Sequence, residues 1–219
     1  MQLSLVQRII LFIIPLVFAV TLHEVAHGCV ANMLGDDTAK VQGRLTINPL
    51  KHIDPLGTII IPGMLLLLSG IAFGYAKPVP VTWQKLRHMP RDMALVALAG
   101  PGANLLMALL WAVLVKLTLP ITLAGSYFSF VMTNMAIMGM QINVALLILN
   151  LIPIPPLDGS RVVLSFLRGQ AARFYVRIEP YGFFILLALL FLGLLSKLIT
   201  PFFIYLLHLI DQLIGISLP

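Results

Sequence analysis

Residues 9–34, IILFIIPLVFAVTLHEVAHGCVANML, form one apolar run with three ionisable side chains in its second half. Crossing a hydrocarbon core of about 30 Å takes about 20 helical residues, and this run exceeds that length. A cleaved signal peptide is the alternative for a segment so near the N-terminus. It calls for a shorter apolar core and a small-residue cleavage site. Here the run continues through His23, Glu24 and His27 to Leu34, so it reads as a retained membrane helix. Ionisable groups within a spanning helix carry a penalty of several kcal/mol, which makes each of them a functional candidate.

Five further stretches are apolar enough to enter a bilayer: 56–75, 93–119, 129–152, 180–196 and 198–216. The whole chain is 60% hydrophobic and 10% charged, against about a quarter charged in soluble domains. The fold class expected is an all-α polytopic membrane protein with five or six transmembrane helices. Only short loops remain outside the apolar stretches, so 1–219 reads as a single domain, with a core over about 9–165 and C-terminal helices over about 180–216. One cysteine, Cys29, excludes an intrachain disulfide. The net charge of +6 comes from Lys and Arg in loops beside apolar segments. There it sets orientation in the membrane, and nucleic acid is not an expected partner.

The run Thr21-Leu22-His23-Glu24-Val25-Ala26-His27-Gly28 carries the chemistry. On a helix, positions i and i+4 lie about 40° apart and about 6 Å along the axis. His23 and His27 therefore project side by side and can share one cation. Glu24 is turned about 100° away, placed to reach a water on the metal instead of the metal itself. The alternative is a pair of histidines hydrogen-bonded to backbone carbonyls of neighbouring helices. It leaves unexplained why one of only two glutamates in the chain sits between them.

A catalytic zinc site normally has three protein ligands and a water. Most of the other acidic residues lie in loops beside Lys or Arg, or near the chain end. Asp158 is different: it ends Asn150-Leu151-Ile152-Pro153-Ile154-Pro155-Pro156-Leu157-Asp158-Gly159, directly after an apolar segment. Three prolines in four residues forbid a continuous helix. Irregular backbone at membrane depth is tolerated where it is buried in protein or lines a wet cavity. Such a break can present an aspartate to a metal; the alternative is a helix end with a solvated carboxylate.

His23-Glu24-Val25-Ala26-His27-Gly28 and Asn150…Pro153-x-Pro155-x-Leu157-Asp158-Gly159 resemble the two signature motifs of the site-2 protease family. Ala99-Gly100-Pro101-Gly102-Ala103-Asn104 is similar to the opening of that family's central helix. The resemblance covers most of 9–165. It implies one Zn²⁺ per chain held by His23, His27 and Asp158, with Glu24 activating water and Asn150 contacting substrate or transition state. Asn104 is a candidate hydrogen-bond donor behind the ligands. Many members carry PDZ or CBS regulatory domains; neither is found here, so regulation is expected to be absent or to come from a membrane partner. The expected activity is hydrolysis of peptide bonds in or near transmembrane segments of single-span membrane proteins.

Orientation turns on 56–75. If that segment spans, one side of the membrane carries nine Lys/Arg and the other five. If it enters and returns on the same side, the split is eleven against three, with Arg8, Lys116 and Lys197 outside. The second arrangement obeys the positive-inside tendency better, and Pro62-Gly63 supplies a break for a re-entrant hairpin. It brings the histidines and Asp158 to the cytoplasmic half of a cytoplasmic membrane. Residues 40–47 alternate loosely with period two and read as one or two short strands, able to pair with an unwound substrate; the alternative is a plain polar loop, and the family resemblance implies a short membrane-associated β-hairpin here. A metal transporter or a non-catalytic scaffold for membrane clients are the competing functions. The first predicts several ligand clusters along a path; the second predicts a damaged motif.

Overall fold

The first apolar run folds as α1 (Leu5–Met33) in a computed structural model that describes residues 2–52, 54 and 77–215. Ser4 caps its start: its hydroxyl accepts the Gln7 N–H, and the Gln7 side chain returns to the Ser4 N–H at 2.9 Å. This reciprocal box satisfies two of the donors that every helix N-terminus leaves unpaired. Pro15 lies inside α1 and removes one N–H donor from its helical ladder.

After α1 come α2 (Thr38–Val41), α3 (Arg91–Leu123), α4 (Tyr127–Leu151), α5 (Asp158–Phe166), α6 (Gly169–Ile178), α7 (Gly182–Phe191) and α8 (Leu194–Ile214). Five stretches are long and apolar enough to cross a membrane: α1, α3, α4, the run Gly169–Phe191 made of α6 and α7, and α8. They account for all the apolar stretches except 56–75. That segment, with its re-entrant reading, lies outside the described residues. Leu106, Leu110 and Leu117 of α3 and Phe202 of α8 are well exposed, as expected of faces turned to hydrocarbon.

α3 and α4 form an antiparallel hairpin about Gly125, whose φ of +97° suits glycine. Their shared face is built of small residues: Ala108 and Ala112 against Ala136, with Val115, Met140 and Val144, and Ile210 of α8 closing the cluster. Gly139 lets the Trp111 ring lie directly on the α4 backbone. Small residues allow this approach where lipid gives helices no hydrophobic drive to associate.

The expected β-hairpin over 40–47 is not found, and among the described residues no strand forms. Thr38–Val41 closes as one helical turn, and Gly43 bends the chain through φ +61°. The Arg44 guanidinium then donates to the carbonyls of Lys51, Lys77 and Pro78. A loose period of two over eight residues was outweighed by these side-chain bonds, which bind the loop to its neighbours without a ladder.

Asp36, fully buried just past α1, joins that helix to the segment before α3. It accepts the N–H and hydroxyl of Thr38 and, at 2.6 Å, the N–H of Thr82. Burial favours the protonated carboxyl, but these hydrogen bonds, with Lys85 nearby, outweigh it and hold Asp36 below the usual carboxylate range. Its contribution is therefore complete above the unfolded value of about 4 and disappears as pH falls through the lower folded value. Asp36→Ala leaves buried donors unpaired and is expected to destabilise by about 1–3 kcal/mol at pH 7. Thermal unfolding in detergent checks this: the gap between variant and wild type should shrink toward pH 3, and a gap independent of pH would refute the assignment.

Candidate metal centre

α1 meets α3 at the level of the two histidines. Four residues apart on one helix face, His23 and His27 bring their Nε2 atoms to 3.1 Å, and both rings are buried. The approach depends on Gly100: a Cβ there would stand 2.6 Å from His23 Nε2 and nearer still to His27 Nε2. Gly28, one residue on, leaves room for Leu45 and Val79 of the loops that cover this part of α1.

The third donor arrives from the turn after α4. α4 stops at Leu151 because Pro153, Pro155 and Pro156 follow, and the turn is closed by Ile154 N–H to Ile152 O and Leu157 N–H to Ile154 O. Gly159 allows the start of α5 to settle on the Leu151 and Ile152 carbonyls, and Gly182 lets α7 pack on the backbone of Pro155. Tyr175 donates its hydroxyl to Pro153 O at 2.7 Å. Held from three directions, the turn delivers Asp158 Oδ2 to 3.2 Å from His23 Nε2 and 3.3 Å from His27 Nε2.

The three atoms suit zinc in size and in chemistry. Tetrahedral zinc with bonds of about 2.0 Å has ligand-to-ligand separations of about 3.3 Å, and the observed sides are 3.1, 3.2 and 3.3 Å. His27 Nδ1 lies 2.7 Å from the Val96 carbonyl, which only accepts, so Nδ1 carries the proton and Nε2 faces inward as a lone pair. His23 Nδ1 lies 2.6 Å from Asn104 Oδ1. Asp158 Oδ2 is buried and lacks a hydrogen-bond partner. With each Nδ1 hydrogen-bonded away from the trio, the two Nε2 atoms and a carboxylate oxygen converge, an arrangement that a bound cation would hold together. Among the described residues, this is the group able to hold a metal.

The other candidates are placed as follows. Glu24 lies beside the trio and outside it, its Oε2 accepting the Val79 N–H at 2.8 Å. Asn104 is fully buried behind His23. Asn150 donates its amide to Leu146 O, one turn back on α4, at 3.0 Å. Sequence reasoning missed three participants: the Val96 carbonyl, the Val79 N–H and Asn143. Asn143 is fully buried, accepts from Asn104 Nδ2 at 3.0 Å and donates to Gly139 O at 2.8 Å. Two backbone groups have no sequence signal. Asn143 had one, a buried-type amide two helical turns before Asn150 and so on the same face.

Known proteins point the same way. The profile of Peptidase family M50 matches residues 115–193, which take in α4 and the Asp158 turn. The chain is 37% identical over 190 residues to "Putative zinc metalloprotease YwhC" of Bacillus subtilis, covering 86% of this chain and 84% of that protein. It is 32% identical over 196 residues to "Putative zinc metalloprotease Rip2" of Mycolicibacterium smegmatis, covering 89% and 72%. No solved structure matches it significantly. With a relative of this identity along nearly its whole length, and two distant motifs that fold into one centre, the chain belongs to peptidase family M50, the site-2 protease family.

Proposed function

We propose that this chain hydrolyses peptide bonds in or near the transmembrane segments of single-span membrane proteins. It is a membrane zinc metalloendopeptidase by family and by the activity its relatives' names carry. The observation that supports an intramembrane reaction is the triangle of His23, His27 and Asp158 built on helices long enough to span.

His23, His27 and Asp158 would hold the zinc, which when bound supplies Lewis acidity for water and for the scissile carbonyl. Glu24, one residue from His23, takes the proton of the attacking water and returns it to the leaving nitrogen. The Val79 N–H holds one Glu24 oxygen in place and leaves the other for the proton. Asn150 steadies the developing oxyanion, provided its amide turns away from Leu146 O. The substrate helix must unwind at the cleaved bond, so glycine or proline near that bond favours cleavage.

The location proposed is the cytoplasmic membrane with the centre toward the cytoplasm, supported by the basic residues clustered at 77–91 and 161–177. A membrane partner is the regulator proposed. Comparing membrane proteomes of cells carrying wild type or Glu24→Gln tests the reading. Single-span proteins should accumulate uncut with the variant; identical proteomes would sink it.

A further inference from the structure

We propose that Asn143 is a positioning residue of the zinc centre, fixing through Asn104 which nitrogen of His23 carries the proton. The proposal rests on the reading that His23, His27 and Asp158 hold the metal. The four groups form one buried line: His23 Nδ1 to Asn104 Oδ1 at 2.6 Å, Asn104 Nδ2 to Asn143 Oδ1 at 3.0 Å, and Asn143 Nδ2 to Gly139 O at 2.8 Å. Both amides are wholly inaccessible, so water cannot stand in for a missing partner.

The direction of the line follows from its last member. A side-chain amide can be turned end for end, and its orientation is set by what surrounds it. Gly139 O is a backbone carbonyl and only accepts, so Asn143 must offer it Nδ2 and turn Oδ1 toward Asn104. Asn104 must then answer with its own Nδ2, which leaves Oδ1 for His23. An oxygen at that place requires the proton on Nδ1 and a lone pair on Nε2, the atom that faces Asp158. The carbonyl of Gly139 on α4 thereby decides the tautomer of a ligand on α1, with α3 as the intermediary. Without Asn143, the Asn104 amide can reverse and donate to Nδ1; the proton then sits on Nε2 and occupies the lone pair that zinc needs. His27 has no such freedom, since Val96 O accepts directly.

Zinc affinity of the full-length protein in detergent, measured by competition with a chelator, separates this from a packing role. Asn143→Leu is similar in size and apolar. It should keep the fold, read by thermal unfolding, and weaken zinc binding about 10–100-fold, as loss of a partner behind a ligand does. Asn143→Asp still presents an oxygen to Asn104, so it should bind zinc close to wild type even though a buried carboxyl weakens the fold. A packing role predicts the opposite order. Wild-type affinity in Asn143→Leu, or loss of zinc in Asn143→Asp, overturns the proposal; if the leucine variant does not fold, the aspartate variant decides alone. Asp158→Ala is the reference. Full zinc affinity there would defeat the ligand assignment itself, whereas normal loss there beside wild-type binding in Asn143→Leu defeats only the amide line.

Discussion

Glu24→Gln protein is expected to retain its zinc and to cleave a reconstituted single-span substrate about 10²–10⁴-fold more slowly than wild type, the usual contribution of a positioned general acid and base. Glutamine keeps the length of the side chain and an oxygen to accept the Val79 N–H that now binds Glu24 at 2.8 Å. The loop over α1 should therefore stay where it is. Its amide nitrogen cannot take a proton from water at neutral pH. Because Glu24 lies outside the ligand trio, metal content measured on the purified protein should be unchanged. A rate near wild type would remove Glu24 from the chemistry, and loss of zinc would make it a ligand.

Gly100→Ala should have the second large effect, and in a direction opposite to helix propensity. Alanine in a helix interior is favoured over glycine by about 1 kcal/mol, so α3 alone would gain. The new methyl group, however, would stand within contact distance of both histidine Nε2 atoms. Either the rings turn away or α1 and α3 separate, and both break a triangle whose sides are 3.1–3.3 Å. Zinc per chain should fall to near zero, and hydrolysis with it, while helix content is kept. Gly102→Ala is the control, since a Cβ there meets nothing within 4 Å; it should bind zinc as wild type. Equal zinc in both variants would show that the centre does not need the bare backbone at Gly100.

Both variants draw on information that the sequence held unevenly. His23 and His27 were legible because helical periodicity alone fixes where i and i+4 point, and a pair of imidazoles in an apolar run has few reasons to exist. Asp158 was legible from its prolines, which say that a helix must end there. The spans were legible because hydropathy and backbone satisfaction in lipid leave little choice but a helix. The strands over 40–47 were misread, because a weak period of two carries less weight than Arg44 binding three carbonyls from elsewhere in the chain.

By itself, then, the sequence determined that this is a multi-span helical membrane protein whose first helix carries a histidine pair spaced to share a cation, with a glutamate between them. Those are properties of single helices, set by local periodicity and by the solvent. Tertiary structure alone decided that Asp158 closes the triangle, that Gly100 makes room for it, and that Val96 O, Val79 N–H and the Asn104–Asn143 line hold the side chains in order. The physical reason is that each of these depends on two helices meeting at one height and one rotation, a relation between surfaces that no single segment encodes.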